Sequence, residues 1–195
     1  MTAALKVIAV AGSSYRPSRT LVLAEELHSQ ISQQLTLAGH NVDSQVIELG
    51  SIARSVGGAL QRNELPAEVE AQVQAIEGAD LLIVASPVYR GSYPGLLKHL
   101  FDLVGMNALI DTPVLLAATG GSERHALVID HQLRPLFSFF QSLTLPIGVY
   151  ASEADFSKTE GVDYQISNEL LKARIQLAVE RAVPLFATST LKKIA

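Results

Sequence analysis

The feature that most constrains the fold is a set of short, unbroken apolar runs, each leading into a loop of small and polar residues. The clearest runs are residues 5–11, 79–86 and 114–119. Strands that are apolar along their whole length are typical of a parallel sheet covered by helices on both faces. Segments with helical spacing separate these runs, and the sequence carries no hairpin signals. The pattern therefore predicts an α/β fold.

The whole chain divides into five strands that alternate with helices. The predicted strands are residues 5–11, 41–49, 79–86, 114–119 and 145–150. The predicted helices are residues 19–38, 66–78, 96–104, 123–142 and 164–186, with mixed loop and short helix over 50–65 and polar loop over 151–163. We expect a flavodoxin-like three-layer sandwich with a five-stranded parallel sheet in the order 2-1-3-4-5. In that order, the loops after strands one, three and four meet at one edge, where such sheets bind ligands.

Composition narrows the class of protein. A chain of 195 residues with 48% hydrophobic residues supports one sizeable core, so we expect a single domain over residues 1–195. A net charge of −4 gives no basic footprint for nucleic acid, and the absence of cysteine excludes disulfides and thiolate metal sites. The early apolar run contains Lys6 and is too short for a secretion signal, and no stretch has the length of a membrane span. We expect a cytoplasmic protein.

The loop after the first strand has the composition of a phosphate site. Residues 13–20 include four serine and threonine side chains together with Arg16 and Arg19, and they lead into a helix. The first N–H groups of a helix lack intrahelical partners, and the helix dipole favours an anion there. The alternative is an ordinary turn in which Ser18 or Thr20 only caps the helix. Neither dinucleotide-binding nor P-loop spacing occurs, but the density of donors favours phosphate.

The loops after strands three and four suggest a flat ligand. Residues 87–95 contain two prolines that stiffen the loop, two glycines and two tyrosines with flat faces. Over residues 87–91 a planar heterocycle explains this composition better than a rigid turn, whereas packing explains Tyr93 at least as well. Residues 119–122 would add bare N–H groups for a carbonyl edge of the ring, a weak signal alone because paired glycines also form turns. Phosphate and planar ring together indicate a mononucleotide, and FMN fits best.

No catalytic side chain and no metal site are predicted. His125 and His131 are six residues apart on one predicted helix, so they do not form a metal-binding pair one turn apart. No nucleophile elbow is present for the Asp130–His131 pair to serve. His99 is interpreted as a surface or interface residue, and His131 remains a minor candidate for gating the site or for subunit packing.

Three motifs carry a resemblance to a known family. They are Gly12-Ser13 with Pro17-Ser18-Arg19-Thr20, residues 87–98 (PVYRGSYPGLLK) and residues 118–122 (ATGGS). In order and spacing they resemble the flavodoxin-like NAD(P)H-dependent FMN reductases, and most of all those that supply reduced FMN to alkanesulfonate and methanesulfonate monooxygenases. The resemblance implies a homotetramer, built as a dimer of dimers, with FMN at subunit interfaces.

The resemblance also assigns site residues. It implies a phosphate contact for Ser13, Ser18, Arg19 and Thr20, an isoalloxazine contact for Pro87, Val88, Tyr89, Arg90 and Gly91, and a contact with the far edge of the ring for Thr119, Gly120 and Gly121. Many relatives have Arg where this chain has Tyr15, so the phosphate role rests on Arg19 rather than Arg16. Some relatives have Tyr in the place of His131, together with a π-helical bulge, so the resemblance does not by itself imply that bulge here. His131 favours the methanesulfonate-type branch.

The function implied is hydride transfer from NADH or NADPH to FMN, with FMNH2 passed to a partner monooxygenase. Both cofactors carry the chemistry, which agrees with the lack of a catalytic triad. Two alternatives remain open. One is a quinone or azo reductase that keeps FMN as a tight prosthetic group, and the other is a flavodoxin-like electron carrier without turnover. The net charge of only −4 argues against the electron carrier, because a carrier is expected to show a strongly acidic docking surface.

Overall fold

A computed structural model describes residues 3–158 and 163–187. Its centre is a parallel sheet whose first four strands run in the order β2-β1-β3-β4, and two short strands, β5 and β6, both pair with β4 in the fifth position. The strands are β1 Leu5–Ala11, β2 Val42–Glu48, β3 Leu81–Pro87, β4 Pro113–Gly120, β5 Leu143–Thr144 and β6 Val149–Ser152. The predicted α/β fold and the order 2-1-3-4-5 are confirmed.

Helices cover both faces of the sheet. They are α1 Arg19–Leu37, α2 Leu49–Gly58, α3 Ala67–Glu77, α4 Gly95–Asp102, α5 Arg134–Phe139, α6 Glu169–Ala182 and α7 Pro184–Ala187. Side chains of β1 alternate between two cores, because successive residues of a strand point to opposite faces. Val7 and Ala9 face α1 and α6, whereas Ile8 and Val10 face the core shared with α2 to α5. Each face thus requires its own apolar set, which is why the buried middle of each central strand, residues 7–11, 81–85 and 114–118, contains no polar side chain.

Helix α1 shows how local sequence fixes an element. Ser18 caps it by accepting a hydrogen bond from the Leu21 N–H at 3.2 Å, and Gly39 follows its end with a φ of +90°, which suits glycine. A stripe of leucine and isoleucine at four-residue spacing is fully buried against the sheet. The stripe consists of Leu23, Leu27, Ile31 and Leu35. The cap therefore sets where the helix N-terminus points, and the stripe sets its rotation.

The fifth strand was expected to be continuous over residues 145–150, and this was wrong. The structure breaks it into β5 and β6 around Pro146, which has no N–H to offer a ladder. Arg134 donates to the carbonyls of Leu145 and Pro146 at 2.7 and 2.8 Å, so it satisfies the carbonyls that the break releases. The break is therefore stabilised from α5, outside the strand itself.

The single helix expected over residues 123–142 was also wrong. The structure has a 3₁₀ turn, Glu123–His125, a π-helical segment, Ile129–Leu133, and then α5. The Arg134 N–H donates to the Ile129 carbonyl five residues back. Pro135 follows, and its ring would clash with the His131 carbonyl in a regular α-helix. The wider turn accommodates this proline, so the chain does contain a π-helical bulge at His131.

The last expected helix, residues 164–186, begins later than predicted. Tyr164–Ile166 forms strand β8, which pairs antiparallel with β7, Phe156–Lys158, and α6 begins after its cap Asn168. The expected polar loop over residues 151–163 was therefore wrong for residues 151–158. The antiparallel β7–β8 pair also contradicts the expectation, drawn from the lack of hairpin signals, of parallel strands alone. Residues 159–162 lie outside the described part. Phe156 and Ile166 pack against the α1–α6 core, which explains the pairing.

Residues 50–65 contain a longer helix than expected, since α2 has ten residues, and a 3₁₀ turn follows at Arg62–Glu64. Within residues 3–158 and 163–187, every helix is too short or too polar to traverse a lipid bilayer.

Candidate functional site

A cleft of about 150 Å³ lies at the carboxyl edge of β1, β3 and β4, where the three predicted loops meet. Ten of the twelve predicted site residues line it, and Arg90 and Gly91 do not. The ten are Ser13, Ser18, Arg19, Thr20, Pro87, Val88, Tyr89, Thr119, Gly120 and Gly121; the cleft is also lined by Tyr15, Pro17 and Tyr164. The topology thus brings together segments more than a hundred residues apart in sequence.

A buried hydrogen bond joins the first and third loops. Thr20 Oγ1 and Thr119 Oγ1 lie 2.6 Å apart, and both residues are nearly inaccessible to solvent. Ser13 stabilises the first loop from within, because its hydroxyl accepts from the Tyr15 N–H at 3.3 Å. Ser18 caps Leu21, and the first two residues of α1, Arg19 and Thr20, line the cleft. Hydroxyls and a helix N-terminus therefore converge where a dianion would be stabilised.

Arg19 contacts two side chains that sequence reasoning missed. Its Nη1 donates to Glu153 Oε1 at 2.7 Å, and its guanidinium carbon lies 5.1 Å from the centroid of the Tyr164 ring. Glu153 follows β6 and Tyr164 opens β8, both far along the chain. Asn168, a good helix cap, was the available signal that Tyr164 precedes the helix.

Arg16 points elsewhere. Both ends of its guanidinium donate to the carboxylate of Glu48 at the end of β2, and this hydrogen bonding raises the pKa of Arg16 above its usual value. Arg16 is not among the residues that line the cleft. The two arginines of the first loop therefore differ in role: Arg16 joins the loop to β2, and Arg19 faces the cleft.

The second loop forms a tight turn over Tyr89–Ser92. The Tyr89 N–H donates to the Ser92 carbonyl at 2.8 Å and the Ser92 N–H returns the bond at 3.2 Å. Arg90 and Gly91 have φ values of +52° and +86°, the pattern of a two-residue type I′ turn. Their position at the tip explains why neither lines the cleft. Their N–H groups have no protein acceptor within the described ranges, so the tip presents two donors.

The tyrosines of the second loop have different surroundings. Tyr89 is 39% exposed and its ring centroid lies 6.3 Å from that of Tyr15, so an aromatic surface borders the cleft. Tyr93 packs against the core shared with α2 to α5 and does not line the cleft. The packing interpretation of Tyr93 therefore agrees with the structure.

The third loop depends on a glycine. A Cβ on Gly120 would lie 2.2 Å from Tyr150 Oη, whereas a Cβ on Gly121 would meet no atom within 4 Å. The Tyr150 hydroxyl donates to the Ser122 carbonyl at 2.5 Å, and burial raises the pKa of this phenol above its usual value. Tyr150 therefore supports the loop from behind, and only glycine fits at position 120.

The histidines stay outside the cleft. His99 Nε2 lies 2.7 Å from the Ala59 carbonyl, so this nitrogen carries the proton and joins α4 to the end of α2. His125 lies in the 3₁₀ turn and His131 in the π-helical segment. Among residues 3–158 and 163–187, no three potential ligand side chains are grouped in a way that would hold a metal ion.

The donor set fits the phosphate end of a flavin mononucleotide. Hydroxyls, the start of α1 and Arg19 line the cleft, and Tyr15 and Tyr89 lie next to each other in its wall. Sites for drug-sized ligands measure roughly 300–1,000 Å³, so a cleft of about 150 Å³ encloses only part of such a molecule. The planar ring would therefore extend over the exposed surface beside Tyr89.

Comparisons with known proteins agree with this geometry. Residues 5–156 match the family described as NADPH-dependent FMN reductase. The chain is 69% identical over 188 residues to the NADH-dependent FMN reductase SfnF of Pseudomonas fluorescens, covering 96% of this chain and 95% of that protein. It is 65% identical over 196 residues to an FMN reductase (NADPH) of Pseudomonas aeruginosa, covering all of both chains.

Two solved structures have folds similar to that of this chain. A crystal structure of an oxidoreductase from Corynebacterium diphtheriae superposes with a TM-score of 0.79 at 31% identity, covering 94% of this chain and 97% of that one. The apo form of an NADH:FMN oxidoreductase, EMOB, superposes with a TM-score of 0.72 at 28% identity, covering 89% and 86%.

Proposed function

Since the chain belongs to the family of NADPH-dependent FMN reductases, we propose that its cleft binds FMN and that the protein reduces FMN with NADH or NADPH. The observation that carries this proposal is the cleft itself, in which a phosphate-type donor set and an aromatic surface meet at one sheet edge. When bound, FMN supplies the chemistry, because its N5 accepts a hydride from C4 of the nicotinamide. The protein then needs only to bind and align the two molecules.

The phosphate end is assigned to Ser13, Ser18, Arg19 and Thr20. The hydroxyls and the N–H groups at the start of α1 would donate to phosphate oxygens, and Arg19 would supply the positive charge. Thr20 has a second task, because its bond to Thr119 fixes the distance between the phosphate loop and the third loop. Arg16 is left out of the assignment because it does not line the cleft and Glu48 accepts from both its Nε and its Nη2.

The ring end is assigned to residues 87–91 and 119–121. The Val88 N–H already donates to the Thr119 carbonyl at 2.8 Å, and the Tyr89 N–H donates to Ser92. The N–H groups of Arg90 and Gly91 are therefore the donors that this loop can offer to the polar edge of the ring. Pro87, Val88 and Tyr89 supply walls, and Thr119, Gly120 and Gly121 border the far edge.

Assembly completes the proposal. We infer that the whole chain forms one domain and that the protein assembles as a homotetramer, built as a dimer of dimers. We further infer that it is cytoplasmic and that its FMNH2 passes to an alkanesulfonate- or methanesulfonate-type monooxygenase. Support for the oligomer comes from large apolar side chains that are more than half exposed on and around the π-helical segment and α6: Met106, Leu127, Phe139 and Leu170. A second subunit would also cover the part of the ring that the small cleft leaves open.

Steady-state oxidation of NADH and NADPH tests the proposal, with FMN, riboflavin and a quinone offered as competing acceptors. We expect added FMN to stimulate oxidation and to leave the protein on dialysis. FMN that stays bound while quinone outcompetes free FMN would favour a quinone or azo reductase instead. FMN binding without any nicotinamide oxidation would favour an electron carrier. Size-exclusion chromatography with light scattering tests the tetramer separately.

A further inference from the structure

The environment of Arg19 contains two contacts of opposite chemistry. On one side the carboxylate of Glu153 accepts a single hydrogen bond from Nη1 at 2.7 Å. On the other side lies the ring of Tyr164, 5.1 Å from the guanidinium carbon. We propose that Tyr164 holds Arg19 in the cleft and that Glu153 competes with the FMN phosphate for it, so that Glu153 keeps FMN exchangeable. This inference rests on the proposed function.

The competition follows from charge and exposure. A phosphate monoester carries about −1.5 to −2 charges near neutral pH, so it and Glu153 would compete for the same cation. The Glu153 side chain is 63% exposed, and that of Arg19 is 27% exposed. Such a pair is worth little by itself and the carboxylate is easily rehydrated, so phosphate can displace it. The displacement nevertheless subtracts from the binding free energy of FMN.

Hydrogen bonds fix the turn that carries Glu153, so the backbone of this residue stays close to Arg19. Asp155 accepts from the Ser152 N–H at 2.6 Å and from the Ser152 hydroxyl at 2.9 Å. The Asn168 amide also donates to the Asp155 carboxylate, which connects the turn to the start of α6. The backbone position of the competing residue is therefore set by the fold, next to Arg19.

Tyr164 makes the two effects separable. An aromatic face attracts a guanidinium without adding negative charge, so it positions Arg19 and leaves its N–H groups available to phosphate. Removing the charge of Glu153 should therefore leave Arg19 in place. Removing the ring of Tyr164 should release Arg19 from the cleft.

The test measures dissociation constants of FMN and riboflavin by titration of the purified full chain. We expect Glu153→Gln to lower the Kd of FMN about two- to fivefold and to slow FMN dissociation, with riboflavin unchanged. We expect Tyr164→Leu to raise the Kd of FMN about two- to fivefold, again with riboflavin unchanged, and Tyr164→Phe to resemble wild type. The gain from Glu153→Gln should shrink at high salt.

Glu169→Gln is the matched control. Glu169 is 82% exposed, pairs with Lys172 and does not line the cleft, so the same change of charge there should leave both constants unchanged. A weaker FMN complex in Glu153→Gln would overturn the inference, since Glu153 would then position Arg19 rather than compete. Unchanged FMN affinity, or equal tightening of riboflavin and FMN, would overturn it as well. A wild-type protein that neither binds nor reduces FMN would instead refute the proposed function.

Discussion

Replacing Gly120 by alanine tests how the third loop is built. The new Cβ would lie 2.2 Å from Tyr150 Oη and 3.2 Å from Cζ, so the ring or the loop must move. Tyr150 does not move without cost, because its hydroxyl donates to the Ser122 carbonyl at 2.5 Å. We therefore expect Gly120→Ala both to destabilise the protein and to displace the loop from the cleft.

The expected magnitude follows from two contributions. Overpacking costs about 1–3 kcal/mol, and losing the Tyr150 hydrogen bond costs about 1 kcal/mol. A destabilisation of about 2–4 kcal/mol corresponds to a fall in Tm of roughly 4–16 °C for a domain of this size. FMN affinity should fall in parallel, because Gly120 lines the cleft.

Gly121→Ala is the control for this prediction. A Cβ at position 121 meets nothing within 4 Å, so we expect a change of less than about 1 kcal/mol, of either sign. Thermal unfolding by circular dichroism measures both variants. The double variant Gly120→Ala with Tyr150→Phe removes the closest contact and should recover about 1 kcal/mol relative to the sum of the single changes. Equal stability of the two alanine variants would refute the steric reasoning.

Three further predictions concern other contacts in the structure. Thr20→Val leaves the buried Thr119 hydroxyl without its partner, so we expect a loss of about 1–3 kcal/mol in urea unfolding and weaker FMN binding; an unchanged midpoint would contradict this. Burial lowers the pKa of His28, so the unfolded state binds more protons and stability should fall as the pH drops below about 6.5; His28→Gln should flatten this profile. Arg62→Met removes a cation that is paired with Glu77 and with a second carboxylate. We expect the free energy of unfolding to fall by about 1–2 kcal/mol, which corresponds to a fall in Tm of about 2–8 °C.

The strands of the sheet were predictable because burial on both faces leaves a direct mark on composition. Strand β1 was predicted with its observed bounds, and β3 and β4 within two residues. The absence of hairpin signals between those runs predicted only that the sheet is parallel, and the strand order came from the flavodoxin-like fold that the motifs imply. Sequence reasoning therefore succeeded where one local property, continuous apolar character, determines the structure.

The failures occurred where a single residue overrides a longer pattern. Pro146 divides the fifth strand, and Pro135 forces a wider helical turn at His131, although the surrounding residues keep the spacing of one element. The segment that begins at Tyr164 has apolar spacing that suits a helix, yet it pairs with β7 because Phe156 and Ile166 share a core. Tertiary packing decided that case, and local pattern carries no such information.

The candidate site was predictable in its loops and not in the groups that hold Arg19. The three loops follow strands that are neighbours in the sheet, so topology alone brings them together. Glu153 is separated from Arg19 by 134 positions, and no spacing rule connects them. The different roles of Arg16 and Arg19 likewise became visible only through Glu48 and Glu153, the carboxylates that they meet.

The position of β1 in the middle of the sheet has a consequence during synthesis. This strand emerges from the ribosome first, yet its partner β3 ends at Pro87, about 75 residues later. At roughly 5–20 residues per second, β1 waits about 4–15 s before both of its neighbouring strands have been synthesised. A nascent chain stalled before β3 would therefore display an aggregation-prone segment, and such truncated chains should depend on chaperones in a way that the complete protein does not.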